Sequence, residues 1–195
     1  MKPRLVNWAG TAVCLALATT VLLSAPLRDR QHDRVIEGSV GDAVSANQGR
    51  ITVHDVSLAG TLTIGTEQIT SPAVFVVLDV TAEALRRPHG IDDAKLVTAD
   101  RERSYSQSVR ATGNVKVGVA TVGFPQQGSL VFELPRDAIA GATLRITDHQ
   151  SFDISERIEV PLGLDDAAVT DQLRSTEPVH LPERVDPAAV KREYH

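Results

Sequence analysis

The side chains best able to move a proton near neutral pH, or to bind a metal, are six histidines at positions 32, 54, 89, 149, 180 and 195. None stands in an HxH, HxxxH or HExxH spacing, the arrangements that bring two imidazoles to one face of a strand or helix. His54 precedes Asp55 and Asp148 precedes His149, and these are the only suggestive doublets. Successive residues of a strand point to opposite faces, so neither doublet is expected to form a local dyad. His54 and His149 would share a metal only through tertiary folding. Asp92, Asp93, Asp100 and Glu102 supply oxygen, but calcium takes about six to eight oxygen ligands and no DxDxDG run is present. They read as solvated turn acids. Glu37-Gly38-Ser39-Val40-Gly41 comes nearest to GxSxG, yet Glu37 stands where the first glycine belongs and no strand–turn–helix surrounds it. Ser45 is followed three residues later by Gln48 rather than lysine, and no GxxxxGK occurs. No catalytic, cofactor-binding or metal-ligating residue is therefore assigned, no cofactor is expected, and the chain is not expected to be an enzyme.

The rest of the composition narrows the partner. At 195 residues the chain suits one domain with appendages. Aromatics make up 4% and net charge is −5, which together exclude a base-stacking surface and a basic phosphate footprint, so no nucleic-acid partner is expected. One cysteine, Cys14, excludes an intramolecular disulfide and a multi-cysteine zinc site.

Residues 5–27 carry no charge and as a helix would reach about 34 Å, enough to cross a hydrocarbon core of about 30 Å. Two readings apply, a cleaved signal peptide and an uncleaved signal anchor. The run exceeds the usual signal-peptide core, and its end, Leu23-Ser24-Ala25-Pro26, is a poor cleavage site, so residues 1–27 are read as a transmembrane signal anchor. Cys14 lies mid-run and is not read as a lipidation site. The short basic N-terminus, with Lys2 and Arg4, places residues 28–195 outside the cytoplasm, with 18 basic against 25 acidic residues and a net charge of −7.

Residues 28–49 are expected to be a juxtamembrane linker, opening with the charged RDRQHDR. From residue 50 to 161 short β-rich runs follow one another. Ile51 to Leu58 alternates with a parity slip near Asp55, which a bulge would produce. Ala73 to Thr81 is nearly continuously apolar and reads as a central strand buried on both faces. Further strands are expected at 94–99, 104–109, 115–122, 128–135 (stopped by Pro135), 142–147 and 154–160. This spacing predicts an all-β fold, an antiparallel β-sandwich. The tail, 162–195, is expected to hold one helix near 165–174 and to be otherwise extended or disordered, so truncation after Leu164 should barely change the melting temperature.

Two stretches carry a resemblance. Ala73-Val74-Phe75-Val76-Val77-Leu78-Asp79-Val80-Thr81 and Gly128-Ser129-Leu130-Val131-Phe132-Glu133-Leu134-Pro135 resemble two core strands of a bacterial family of unknown function with a telokin-like, immunoglobulin-like sandwich. A small secreted mycobacterial antigen is similar in fold. The resemblance covers roughly residues 50–160 and implies a surface protein carried behind a lipoprotein signal or a membrane anchor. The sequence departs from the family at Ala82-Glu83-Ala84, where a polar Asn is common, and in lacking a lipobox cysteine. The expected function is a single-pass, membrane-anchored, extracytoplasmic binding module of the cell envelope with a protein partner. The alternatives are a small-ligand or metal sensor with a polar pocket near the loops at 85–93 and 110–114, and an envelope enzyme.

Overall fold

From Val74 to Leu78, β-branched, aromatic and aliphatic residues follow one another without a polar break, which favours an extended chain over a helix. In the structure, a computed structural model that describes residues 34–46, 49–88, 90–91, 93–111, 117–147, 156–174 and 177–181, this run is the middle of the longest strand. The strands are β1 (Arg34–Glu37), β2 (Ala43–Ser45), β3 (Gly49–Ile64), β4 (Glu67–Ala84), β5 (Ala94–Val97), β6 (Ser104–Ser106), β7 (Gln126–Leu134), β8 (Thr143–Thr147), β9 (Glu156–Pro161) and β10 (Val179–Leu181). A 3-10 turn covers Arg136–Ala138, and the helix α1 covers Asp166–Gln172. The chain divides into two units, Met1–Asp33 and Arg34–His195, and every described residue belongs to the second. The expected anchor at 5–27 therefore lies outside the described residues. Among the described residues, no helix is long and apolar enough to cross a membrane.

Two sheets form the expected β-sandwich. The first runs β1-β9-β8-β5-β6; the second runs β10-β3-β4-β7, with β2 alongside the start of β3. Leu96, Leu144, Ile158 and Val160 of the first sheet share one core with Val53, Val76, Leu78 and Phe132 of the second. The pairing is not wholly antiparallel as expected, because β1 joins β9 and β10 joins β3 in parallel. Both parallel partners are short strands added at the edge of an otherwise antiparallel sheet, which sequence alternation does not foretell.

The parity slip near Asp55 is a register shift between Val53 and Asp55. A second shift, between Ala59 and Thr61, faces the part of β4 that contains Pro72. Proline has no N–H to give a ladder, and the unpaired stretch opposite Gly60 accommodates it. Ser71 Oγ accepts from the Ala73 N–H at 2.9 Å and steadies the bend. The β3–β4 hairpin closes through Gly65-Thr66, with Gly65 at φ 58°, a conformation a side chain would strain.

Because β4 is apolar on both faces, its outer face needs a second cover. Phe75 and Val77 join Ala59, Leu62, Val131, Ala111 and Leu181 in a smaller cluster there. Past β6 the chain crosses to the second sheet, where Ser108 N–H donates to Val131 O at 2.8 Å. Arg110 then donates to Thr70 O at 2.8 Å, pairs with Glu133 at 3.2 Å, and holds its guanidinium 5.9 Å from the centre of the Phe75 ring.

Three expectations are corrected. The expected linker 28–49 contains β1 and β2, which hand the chain from the first sheet to the second through the turn at 38–42. These strands are too short and too exposed to show an apolar alternation. Of the strand expected at 115–122, residues 117–122 form only irregular chain and isolated bridges. Val117 and Ala120 are turned into the core while Val119 and Val122 are exposed, so the segment closes one end of the sandwich rather than joining a sheet. The expected helix near 165–174 is present, with Asp165 accepting from Ala168 N–H at 2.7 Å as its N-cap. The tail beyond it is not merely extended, because β10 adds to β3 and buries Leu181.

The tail also completes β3. Between the stretches paired with β2 and β10, the Leu58 N–H donates to Gln172 Oε1 of α1 at 3.1 Å, and Val169 is buried in the main core. Burying Val169 and Leu181 is worth about 3–5 kcal/mol together. Truncation after Leu164 is therefore expected to lower the melting temperature by about 10 °C in a thermal scan. An unchanged melting temperature would show that α1 and β10 add nothing to the fold.

Candidate functional site

The bulge in β3 decides what the outer face of the second sheet presents. Val53 and Val56 both face the main core, so the two residues between them, His54 and Asp55, are both turned outward. Alternation alone would have separated them; the extra residue puts them on one face. His54 Nε2 lies 2.8 Å from Thr81 Oγ1, while Ser57 Oγ donates to Asp55 Oδ2 at 3.1 Å.

Asp55 stands directly across from Asp79 of β4, and Asp79 is flanked in register by Ser129 of β7. Gln127 Nε2 donates to both Asp79 oxygens, at 3.3 and 3.2 Å. These residues line a trough of about 510 Å³ on the outer face of the second sheet, with Val77 among its apolar residues and β10 contributing Val179, His180 and Leu181. Two like charges facing each other across a ladder destabilise a sheet. A donor on its own strand, Ser57, holds Asp55, and one on the neighbouring β7, Gln127, holds Asp79, leaving an acidic trough suited to a cation or a donor-rich group.

Asp79, Gln127, Ser129 and Ser57 belong to no recognisable site motif in the sequence. One signal was available, since Asp79 is the only charged residue between Val74 and Val80. Of the candidates named from the sequence, His54 and Asp55 come to the trough side of the sheet, and His180 lines the trough. His32, His89, His149, His195, Asp92 and Asp148 lie outside the described residues. Asp93 pairs with Lys95 at 3.1 Å. Among the described residues, no three His, Cys, Asp or Glu side chains come together as a metal site. Ser39 lies in the turn between β1 and β2, where its N–H donates to Asp42 Oδ2 at 3.1 Å, and Ser45 Oγ accepts from Arg50 Nε at 3.1 Å. Neither sits on a strand-to-helix elbow. Beside the 85–93 loop, the cavity lined by Ile51, Ala82, Ile91, Ile146 and Ile158 holds about 20 Å³, room for about one water.

Asp100 belongs to the turn between β5 and β6. It accepts from the Thr98 hydroxyl and, at 3.0 Å, from the Glu102 N–H. The Thr98 hydroxyl first, and the Glu102 N–H second, hold its carboxyl below the ordinary carboxylate range.

No protein-family model and no curated protein matches the chain. Two solved structures are similar in fold. An uncharacterized β-sandwich protein from Clostridium difficile 630 is 9% identical, with a TM-score of 0.42 over 69% of this chain and 98% of that one. A "putative lipoprotein" from Bacillus subtilis is 15% identical, with a TM-score of 0.44 over 69% of this chain and 42% of that one. This chain thus matches less than half of the Bacillus protein's length.

Two outcomes follow from this geometry. Asp55→Asn removes one of the opposed charges and is expected to leave the melting temperature unchanged or to raise it by about 1–3 °C. A fall of many degrees would show that the bond from Ser57 outweighs the repulsion. For Asp100 the folded pKa lies below the unfolded one, so its stabilisation is complete above the unfolded value and is lost as pH falls through the folded value. The stability gap between native protein and Asp100→Asn should be constant near neutrality and narrow below about pH 4 in acid titrations. A gap unchanged down to about pH 2 would contradict the assignment of the shift to the Thr98 and Glu102 donors.

Proposed function

We propose that this chain is a single-pass, membrane-anchored, extracytoplasmic binding module of the bacterial cell envelope, which receives a protein partner in the acidic trough of the second sheet. Residues 5–27 act as the uncleaved anchor, and the sandwich is of immunoglobulin-like type. The two stretches that carry the family resemblance support the latter, for they lie side by side as β4 and β7, with Leu78 opposite Leu130.

The observation that carries the binding role is the opposition of Asp55 and Asp79 at the trough. A sheet gains no stability from facing carboxylates, and such local conflicts concentrate where function requires them. A cationic side chain of the partner, an arginine or lysine, would relieve the repulsion on docking and fix the register of the two proteins. A binding role is favoured over catalysis by how the polar groups are already engaged. His54 Nε2 meets the Thr81 hydroxyl, and among the described residues no acid orients its other nitrogen. A proton-transfer dyad needs that orienting group.

The test is photo-crosslinking in native membranes, with a photoreactive residue in place of the exposed, trough-lining Gln127. One envelope protein captured near stoichiometry, and lost on Asp79→Lys in the same chain, is the expected result. Capture indifferent to Asp79→Lys would remove the trough from the interface. No capture, together with heat on titration of small cationic ligands, would make this a small-ligand sensor instead.

A further inference from the structure

On the outer face of the second sheet, Ser129, Asp79 and Asp55 form one row across β7, β4 and β3. Residues directly opposite each other on neighbouring strands have Cβ atoms about 5 Å apart. Two carboxylates and a hydroxyl thus share one short stretch of the trough that all three line. Ser129 adds an observation independent of the acids. Its neighbour Leu130 faces the main core and Val131 the outer cluster, so Ser129 shares the outer face with Asp79. It is buried to 8% exposure, yet among the described residues its hydroxyl has no hydrogen-bond partner. A buried hydroxyl costs stability unless something meets it.

The arginines on this face are engaged at its two ends, Arg50 with Glu83 and Arg110 with Glu133, both at 3.2 Å. Among the described residues, neither Asp55 nor Asp79 has a cationic partner. An ionised carboxylate offers about four lone-pair sites. Ser57 meets one oxygen of Asp55, and the Gln127 amide bridges the two of Asp79, so lone pairs stay open on both.

We infer that Asp55, Asp79 and Ser129 form a binding site for a hard divalent cation of calcium's size. The row donates oxygen only, which selects calcium or magnesium over transition metals. Its ligands come from one side, at spacings fixed by the ladder, and water fills the other side. Calcium accepts such irregular shells at about 2.3–2.6 Å, whereas magnesium demands a near-ideal octahedron at about 2.1 Å. Three protein ligands are fewer than a high-affinity loop provides, so the expected affinity is that of extracellular calcium modules, a Kd of about 0.1–1 mM. One ion would cancel the repulsion between the acids and give the Ser129 oxygen its partner. It would also take the place of an incoming arginine or lysine, so that ion and protein partner exclude each other. That regulatory consequence rests on the proposed partner binding; the ion site does not.

The test titrates calcium chloride into the full chain in nonionic detergent, at pH 8 and fixed ionic strength, and reads heat and melting temperature. The native chain is expected to bind one calcium and to melt several degrees higher in about 10 mM calcium. Asp55→Asn, expected to fold at least as stably without calcium, should weaken binding more than about tenfold, and Ser129→Ala about fivefold. Binding indifferent to Asp55→Asn places the ion elsewhere. Binding that needs Asp55 but not Ser129 is diffuse attraction to an acidic face. Either result overturns the inference, as does no binding at about 10 mM calcium, or magnesium bound as tightly. Tighter binding of zinc, lost on His180→Ala, would move the site to the imidazole that lines the trough from β10, and overturn it too. Lys116 lies outside the described residues; a chain that binds calcium only as Lys116→Ala already holds its cation, which also overturns the inference. Photo-crosslinking from position 127, repeated with calcium and with a chelator, separates the ion from the partner. Capture lost on Asp79→Lys, without calcium binding, keeps the partner and removes the ion site. Calcium binding without capture keeps the ion site and removes the partner.

Discussion

The fold depends on a strand that is apolar on both faces. Over Val74 to Leu78, β4 can expose neither side to water without losing several kcal/mol of burial, so it must be covered twice. The first sheet covers the inner face. The outer face is covered by pieces from distant parts of the sequence: Ala111 from the crossing between the sheets, Leu181 from the C-terminal strand, and Arg110 over the Phe75 ring. This double demand explains why a segment that reads as a tail belongs to the domain. It also explains why the chain crosses from β6 to the flank of β7, where Arg110 and the Ser71 and Ser108 hydroxyls converge on Glu133.

Features whose cause is local were legible in the sequence. The apolar run of β4, the proline after β7, the slip near Asp55 and the acid that caps α1 each follow from a few adjacent residues, and each is present. Features set by a distant partner were not. Strands β1 and β10 are three or four residues long, carry charged or polar side chains, and exist because an open sheet edge accepts them in parallel. Residues 117–122 show the reverse case, in which alternating valines suggest a strand but the chain turns Val117 and Ala120 inward to close the sandwich. The burial of β4 on both faces is legible in its sequence; the identity of its outer cover is not, since Arg110 and Ala111 lie about 35 residues away in the chain and Leu181 about a hundred.

The trough illustrates how one inserted residue changes chemistry. A regular strand would send His54 and Asp55 to opposite faces. The bulge that the same residues announced cancels the rule, because an extra residue between Val53 and Val56 leaves both polar side chains outward. Alternation and slip are both written in residues 51–58, and only together do they place the doublet on one face. Asp79 needed the structure, since only the β3–β4 register brings it opposite Asp55.

The two outer faces treat charge in opposite ways. On the first sheet, Glu159 is buried to 4% exposure and is ringed by Arg145, Arg157 and Arg101 at 3.0 to 3.3 Å. Its charge is more than answered, and only the loss of all three arginines would strand the carboxylate out of water. On the second sheet, Asp55 and Asp79 have neutral donors, Ser57 and Gln127, and face each other across the ladder. Hydroxyl and amide donors hold a carboxylate in place without cancelling its charge. An incoming cation would therefore gain attraction from both carboxylates at the trough, whereas at Glu159 it would compete with three arginines already in contact. The same fold thus builds one charge cluster whose carboxylate is answered by arginines and one whose carboxylates are held by neutral donors alone.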